Sequence, residues 1–442
     1  MAVTRDSLPD DPGPTDDQIQ NLEADAELGG PAQVGTLSSA MGSKAFRRFF
    51  AGTFSSNIGT WMQNITLIAL AYELTKNAWF TGVITFAQLG PTLLISPFGG
   101  ALADRVNRRT LIVSMSAVQL SMSMVLAVVA LADRPNQVLL VAVVATIGCA
   151  NAINGPTMNA LLPELVPRED MQPAIAINSV SMNSARVNGP LLGGAIGSIA
   201  GSSMVFAING LTYLFVIWAV VTVEVDFSPK GRSGSGPLRQ IREGFSAARA
   251  NPLILRVLIT IASLSLFSLI FIYQMPILAE EHFGFKGWKF NLLFASFALG
   301  AAGGALAMGS VLKHIERAKM TKGGLLLFAV SLAIFGTTRI IPIGFISAFI
   351  VGAAYFIIVT ALSTTIQMAV DDSVRGRVMG LWMMAWAGLV PLGGLIAGPI
   401  IDTVGISSVL IFGAVVAAVL GLVMNLTEPD YVAIASHEPE PA

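Results

Sequence analysis

Twelve apolar runs, each close to the length that crosses a bilayer, dominate this chain of 442 residues. An α-helix rises about 1.5 Å per residue, so about 20 apolar residues are needed to span the hydrocarbon core. Because lipid offers no hydrogen bonds to the backbone, such runs must form helices. The sequence therefore predicts an all-α integral membrane protein with transmembrane helices at 50–72, 80–103, 110–132, 137–160, 173–200, 203–223, 253–275, 289–312, 323–340, 342–366, 378–400 and 405–426.

Charged residues are scarce and unevenly placed. They make up 12% of the chain, against roughly 25% in soluble domains, which excludes a soluble protein. Lys and Arg accumulate in the cytoplasmic loops of membrane proteins. In this layout most of them fall on one side, with Lys44, Arg47 and Arg48 just before the first run. The other side holds only Lys76, Arg134, Lys286, Lys289 and Arg339, so both termini are predicted to be cytoplasmic.

The same features divide the chain into five segments. The linker between the sixth and seventh runs is rich in Gly, Ser and Pro and then carries Leu238, Ile241 and Phe245 at helical spacing with arginines between them. This pattern predicts an amphipathic helix on the inner leaflet. The predicted segments are a disordered acidic tail at 1–43, a six-helix half at 44–223, the linker at 224–252, a second six-helix half at 253–426 and a C-terminal tail at 427–442.

A short polar hinge separates the second and third runs, with the sequence Gly99-Gly100-Ala101-Leu102-Ala103-Asp104-Arg105-Val106-Asn107-Arg108-Arg109. It resembles the signature between helices two and three of the major facilitator superfamily, although Asn107 stands where the general pattern has glycine. The resemblance implies the major facilitator fold, with two six-helix halves in parallel repeat. The second half carries a degenerate copy, Gly303-Gly304-Ala305-Leu306-Ala307, followed by Met308 instead of aspartate.

The resemblance also implies that this hinge is a conformational gate. Asp104 can accept hydrogen bonds from a helix N-terminus and can pair with arginine. Helix eleven, the usual partner in the family, is predicted to begin near Arg375-Gly376-Arg377. The alternative is that Asp104 is simply solvated at the end of its helix. The gate hypothesis names Gly100, Asp104, Arg105, Arg108, Arg109, Arg375 and Arg377.

Helix five carries Gly189-Pro190-Leu191-Leu192-Gly193-Gly194, which partly matches the helix-five motif of the superfamily's antiporters. The motif residues are Gly189, Pro190, Gly193 and Gly194. Gly189, Gly193, Gly197 and Gly201 fall four apart, so they predict a face that another helix approaches closely. Gly300 and Gly304 of helix eight are the expected opposing groove. Tight packing and a bending point that seals the pathway both remain open.

Arg186 is the least expected residue, since it lies about 20 Å into helix five at about 1.5 Å per residue. A charge at that depth faces the protein interior or a wet cavity. No acid is predicted at the same depth. Two interpretations remain, a structural hydrogen-bonding hub and a positive group that takes part in substrate binding or coupling.

Polar and aromatic residues on helical faces are candidates for the wall of a substrate cavity. They recur three or four residues apart, and large apolar pockets with few polar anchors suit amphiphilic ligands. For each residue, helix packing is the alternative. The candidates are Asn57, Trp61, Asn64, Asn151, Asn154, Met158, Arg186, Phe267, Phe271, Gln274, Trp382 and Trp386.

Several motifs together resemble the bacterial drug:proton antiporter group, which includes macrolide efflux proteins and the enterobactin exporter. They are Tyr72-Glu73-Leu74-Thr75, the Asp104 hinge, Arg186 before Gly-Pro, the amphipathic stretch before Asn251-Pro252 and the Arg375-Gly376-Arg377 stretch. The resemblance implies a secondary transporter in the bacterial cytoplasmic (inner) membrane. It would export a drug-like compound or siderophore in exchange for protons, with multidrug resistance or siderophore export as its role.

The sequence suggests neither an enzyme nor a cofactor. It has no phosphate-binding GxxxxGK[ST] loop, and its single cysteine and three scattered histidines suggest no metal site. Expected partners are a small-molecule substrate, protons and the lipid bilayer, without nucleic acid, and the expected state is a monomer. An importer or lipid transporter of the same fold, and a non-transporting membrane sensor, are the alternatives. Candidate acids for proton coupling lie only at helix ends, namely Glu73, Asp104 and Asp402.

Overall fold

The computed structural model describes residues 36–103, 105–225, 227, 237–286, 289–312, 314–371 and 374–426. Within these residues every extended regular element is a helix, as predicted. The α-helices are α1 (Leu37–Gly42), α2 (Lys44–Thr75), α3 (Ala78–Ala103), α4 (Arg108–Val129), α5 (Gln137–Leu165), α6 (Met171–Thr222), α7 (Pro237–Ala250), α8 (Pro252–Ser263), α9 (Phe271–Phe283), α10 (Phe290–Gly309), α11 (Arg317–Thr337), α12 (Ile341–Ala369), α13 (Arg375–Met383), α14 (Leu389–Val404) and α15 (Ile406–Val423).

Ten helical stretches in the described residues are long and apolar enough to cross a membrane. One of them, α6, runs for 52 residues and covers both the fifth and the sixth predicted spans. The backbone is non-helical at Gly201, with φ of 78°, and this break separates the two spans. The first predicted span lies in α2, which is 32 residues long but is not among the ten. Its polar residues, such as Gln63 and Asn64, lower its mean hydropathy.

The seventh and eleventh predicted spans each contain a π-helical turn. Leu264–Ser268 joins α8 to α9, and Met384–Gly388 joins α13 to α14. A π turn leaves backbone carbonyls without their usual partners, and it often occurs at functional sites. Ser265 Oγ in the first turn donates to the carbonyl of Trp386 in the second at 2.9 Å. The two irregular turns therefore touch each other.

Residues 37–42 differ from the prediction, which assigned them to the disordered tail. They form α1, capped by the Thr36 hydroxyl and by the Ser39 hydroxyl in a reciprocal capping box. Ala40 is fully buried in an apolar cluster with Phe46 and Phe49, and Ser43 Oγ donates to the carbonyl of Leu165. The capping box satisfies free amides at the start of α1, and the contacts with the first half hold the helix in place. The rest of the predicted tail, 1–35, and the tail 427–442 lie outside the described residues.

Each half packs its helices closely against one another. In the first half α2 lies along α6 and α3 along α5. A layer of buried polar side chains separates two apolar clusters there, with Asn209 Nδ2 donating to Gln63 Oε1 at 2.9 Å. In the second half α12 packs between α10 and α11 around a large apolar cluster, which extends into the first half at Ile65, Ile68, Tyr72 and Ala78. Buried amide pairs of this kind join helices where lipid provides no hydrophobic drive.

The linker contains the predicted helix, α7, and this helix packs against the start of α13. A Cβ on Gly244 would lie 2.8 Å from the carbonyl oxygen of Arg377, so only glycine permits this approach. Beside it, Glu243 lies 3.2 Å from Arg377 Nε and 2.7 Å from Arg239 Nε. Phe245 is exposed, and Leu238 is not described at the side-chain level.

The two halves meet where α3 and α14 run antiparallel. Gly82 of α3 approaches Gly394, and Gly398 approaches Trp79, with Cβ-to-backbone distances of 2.6 and 2.5 Å. We call the end of the bundle with the first residues of α3 and the last residues of α14 the Asp402 end. The opposite end, where α13 begins, is the Arg375 end.

Candidate functional site

Arg186 of α6 points at Trp61 of α2. Its guanidinium carbon lies 5.2 Å from the centre of the Trp61 ring, a cation–π contact. Its Nε is buried and has no hydrogen-bond partner among the described residues. The helix begins at Met171, so Arg186 lies in the interior of the span. An aromatic face thus takes the place of the missing acid, and one donor remains available.

Glycine in the next helical turn makes this contact possible. A Cβ on Gly189 would lie 2.5 Å from the Trp61 Cβ, and one on Gly193 would lie 3.2 Å from the Cα of Met62. The absence of side chains therefore lets α6 approach α2 closely enough to place Arg186 over the indole.

Aromatic residues of the second half complete the surroundings. The ring of Phe294 lies 6.3 Å from that of Trp61, across the boundary between the halves. Trp386 Nε1 donates to the Tyr355 hydroxyl at 3.1 Å. The Phe297 ring lies 5.9 Å from the rings of both Phe294 and Tyr355, so it connects them. We call Trp61, Arg186, Phe294, Tyr355 and Trp386 the central aromatic group.

This group can bind a ligand in two ways. Its rings provide flat apolar surfaces for a ligand to pack against, and the Tyr355 hydroxyl provides a hydrogen-bonding group. The guanidinium provides a positive charge that binds carboxylates and other anionic oxygens through a planar fork. The site therefore suits an amphiphilic ligand that carries both a ring or apolar body and an anionic or strongly accepting group.

Other predicted cavity residues lie elsewhere. Asn154 is buried between α4 and α5 and donates to Gln119 Oε1 at 3.0 Å, so it belongs to the polar layer of the first half. Phe271 is enclosed by rings of the second half's core, 5.6 Å from the Phe297 ring. Phe267 packs edge-on against Phe412 of α15.

The remaining candidates are divided among several environments. Asn57 and Asn64 are half-buried on α2, and Asn151 is exposed on α5. Met158 packs beside the apolar cluster of the first half and Trp382 is buried in that of the second, while Gln274 Nε2 donates to the carbonyl of Ala78 at 3.4 Å.

The prediction that Gly300 and Gly304 form a groove for the helix-five glycines is wrong. Gly189 and Gly193 face α2 and not α10, which is the eighth predicted span, although Gly194 faces Asn291 at the start of α10. Gly300 and Gly304 approach the backbone of α12 instead, at Phe349 and Ala353. A glycine stripe indicates close packing, but it does not say which neighbour is packed. Pro190 is buried within the same helix.

The hinge between α3 and α4 shows why asparagine replaces glycine in it. The Asn107 side chain accepts hydrogen bonds from the backbone N–H groups of Arg109 and Thr110, so it caps α4. Asp104 itself lies outside the described residues. Gly100 is within α3, and Arg105 is exposed.

The two following arginines are anchored in the first half. Arg108 is buried and donates from Nη1 to the carbonyl of Ala160 at 3.1 Å. Arg109 donates from Nη2 to the carbonyl of Val223 at 2.7 Å and lies over the Phe227 ring. These contacts tie the hinge to the ends of α5 and α6.

Sequence reasoning missed Phe294 and Tyr355. A signal was present, since tyrosine in membrane proteins is concentrated at the water interfaces, whereas Tyr355 lies near the middle of the 29-residue α12. A tyrosine hydroxyl at that depth needs a partner, which Trp386 supplies.

Three comparisons with known proteins agree with this architecture. A family model described as transmembrane secretion effector matches residues 36–442. The staphyloferrin A transporter of Staphylococcus aureus (strain NCTC 8325 / PS 47) is 26% identical over 365 residues, covering 81% of this chain and 90% of that protein. The enterobactin exporter EntS of Shigella dysenteriae serotype 1 (strain Sd197) is 24% identical, covering 86% and 91%. The crystal structure of the nucleoside transporter NupG has the same fold, with a TM-score of 0.68 at 12% identity over 89% of this chain and all of that one.

Proposed function

This chain belongs to the transmembrane secretion effector family of the major facilitator superfamily, and we propose that it exports an amphiphilic small molecule by alternating access. The predictions of a superfamily transporter similar to the enterobactin exporter group, and of a protein that is not an enzyme, are confirmed. The observation that carries the proposal is the contact between Arg186 and Trp61, beside aromatic residues of the other half. A site shared by both halves can be exposed to either side as they rock.

In this proposal twelve helices cross the membrane. The ten long apolar stretches supply eleven spans when α6 is counted twice at Gly201, and α2 supplies the twelfth. The halves are 44–223 and 253–426, joined by the linker at 224–252. The Arg375 end faces the cytoplasm together with both termini, because it carries the basic loops. The protein acts as a monomer in the bacterial cytoplasmic membrane.

The proposed substrate class is drug-like compounds and siderophores. Two relatives are named for the siderophores staphyloferrin A and enterobactin, which supports this class at low identity. The Nε of Arg186 has no hydrogen-bond partner in the described part of the chain, which supports an anionic or acceptor-rich ligand over a purely cationic one. Of the predicted cavity residues, Trp61, Arg186 and Trp386 belong to the central aromatic group.

Proton-driven exchange is the proposed energy source. Glu73 and Asp402 lie at the Asp402 end, and Asp104 follows the last residue of α3 at the other end. The gate is proposed to form between Asp104 and the pair Arg375 and Arg377. In this proposal Arg108 and Arg109 hold the hinge that carries Asp104 against the first half.

Inside-out membrane vesicles test the function directly. Vesicles containing the protein should accumulate an anionic amphiphile when an acid-inside gradient is imposed, and Arg186→Gln should reduce this accumulation. Accumulation only in right-side-out vesicles would favour an importer or a lipid transporter. Binding without flux in either orientation would favour a sensor.

A further inference from the structure

Asp402 caps a helix of the opposite half. Its Oδ1 accepts a hydrogen bond from the Ala78 N–H at 2.7 Å, and its Oδ2 accepts one from the Trp79 N–H at 3.1 Å. These are the first two amides of α3, which have no acceptor within their own helix. Asn77 Oδ1 accepts from the next amide, that of Phe80, at 2.9 Å. The start of α3 is thus capped partly by its own half and partly by α14 of the other half.

A carboxylate is well suited to this position. The N-terminus of a helix carries a partial positive charge, and its bonds to an ionised carboxylate are stronger than neutral hydrogen bonds. When the two halves separate at the Asp402 end, both bonds must break together. Water would then replace Asp402 at the start of α3.

Other contacts between the halves surround the cap. Lys76 Nζ lies 2.7 Å from Glu280 of α9, but its side chain is 53% exposed. Exposed ion pairs contribute little free energy. Gln274 Nε2 donates to the Ala78 carbonyl at 3.4 Å, which is a long hydrogen bond. Asp402 is itself exposed, but its two carboxylate oxygens accept from two consecutive amides of α3, so this cap joins the halves through two hydrogen bonds at once.

The glycine positions below the cap let the helices stay in contact. Gly398 lies one turn before Asp402 on α14, and a Cβ there would lie 2.5 Å from the Trp79 Cα. The eleventh span begins with α13 at Arg375 and ends with α14, and at the Arg375 end Asp104 follows directly after α3 in the sequence. Each of the two spans therefore has an aspartate at or just after its C-terminal end, Asp104 for α3 and Asp402 for α14.

Resting on the proposed transport function, we propose that Asp402 is an outer gate residue: its cap on α3 closes the Asp402 end in the state described here and is released when that end opens. Loss of the cap should shift the conformational equilibrium towards the state that is open at this end. It should leave each half folded, because Asp402 connects the halves and does not hold either one together.

The test measures distance across the Asp402 end. Spin labels are attached at Arg134→Cys in the first half and Ile340→Cys in the second, both exposed, in a full-length Cys149→Ser background. Pulsed electron paramagnetic resonance in nanodiscs then gives the distance distribution for the parent and for Asp402→Ala. A severalfold rise in the longer-distance population of Asp402→Ala is expected, together with reduced transport.

Matched variants separate gating from general damage. Thr403→Val changes the adjacent residue, whose hydroxyl, among the residues that the structure describes, bonds within its own helix, at 3.1 Å to the Pro399 carbonyl and 3.0 Å to that of Ile400. It should keep the parent distribution, and Lys76→Met should shift it much less than Asp402→Ala. A parent-like distribution in Asp402→Ala, or an equal shift in Lys76→Met, would overturn the gate assignment. The distance measurement needs no substrate, so failure of the transport proposal would leave it interpretable.

Discussion

Arg186 and Gly189 lie one helical turn apart on α6, and both meet the same side chain, that of Trp61. The glycine brings the two helices together, and the arginine uses the indole face that this approach provides. Packing and charge placement are therefore coupled at one point of the boundary between α2 and α6. Variants of the two residues should fail in different ways.

Arg186→Lys keeps the charge but loses the planar fork, so it should weaken transport of an anionic amphiphile without abolishing it. Arg186→Gln should lower the transport rate of the anionic amphiphile about tenfold, which corresponds to about 1.4 kcal/mol. Transport of a cationic amphiphile should change little in either variant. Vesicle transport of one compound of each charge, with melting temperature in detergent, checks this. Equal losses for both compounds with a lower melting temperature would mean that Arg186 is a structural hub.

Gly189→Ala should separate α6 from α2, since its Cβ would overlap Trp61. Overpacking of this kind costs about 1–3 kcal/mol, and transport should fall with the melting temperature. Gly197→Ala is the matched control on the same helix, because its Cβ would meet only Val205 Cγ2 at an ordinary 3.7 Å. Alanine there should be neutral or mildly stabilising. Similar behaviour of the two variants would remove the packing role of Gly189.

Tyr355→Phe removes the acceptor of the Trp386 indole N–H. This hydrogen bond is partly buried, and the full cost of an unpaired buried donor is about 1–3 kcal/mol, so the melting temperature should fall by less than that cost implies and the Trp386 ring should lose its fixed orientation. Affinity for an aromatic substrate, measured by fluorescence quenching or competition, should fall as well. Ser363→Ala on the same helix, at an exposed hydrogen bond to Gln367, is the control. Unchanged affinity in Tyr355→Phe would exclude Trp386 from the site.

Asp104→Asn should reduce transport while the protein still inserts into the membrane, because the change removes the charge and preserves the shape. The superfamily resemblance places this residue at the gate, next to the α4 cap formed by Asn107. Cysteine labelling from outside should show a shift towards the state open to the cytoplasm. Normal transport with unchanged labelling would contradict the gate role.

The sequence predicts the positions of the helices better than it predicts which side chains meet in the site. Apolar length predicted where the long helices lie, because span length is set by the bilayer. Arg186 stood out because charge is so costly in lipid. Periodicity put Asn154 and Phe271 on helical faces, but it does not tell which face looks towards the other half. Their partners, Gln119 and Phe297, lie far away in sequence and are visible only in the folded chain.

The linker helix places a further constraint on the protein. Gly244 and Glu243 are held against Arg377 at the start of the eleventh span. Any movement of that span during transport must carry the linker helix along or break this contact.

The π turns at Leu264–Ser268 and Met384–Gly388 also bear on how this chain is aligned with its relatives. Each π turn holds one residue more than an α turn would. A relative whose seventh or eleventh span is regular throughout would align with this chain only through a one-residue gap inside a membrane segment. An alignment that forbids gaps there would displace every position between the π turn and the nearest loop. Trp386 would then be paired with the wrong residue, although the two folds superimpose.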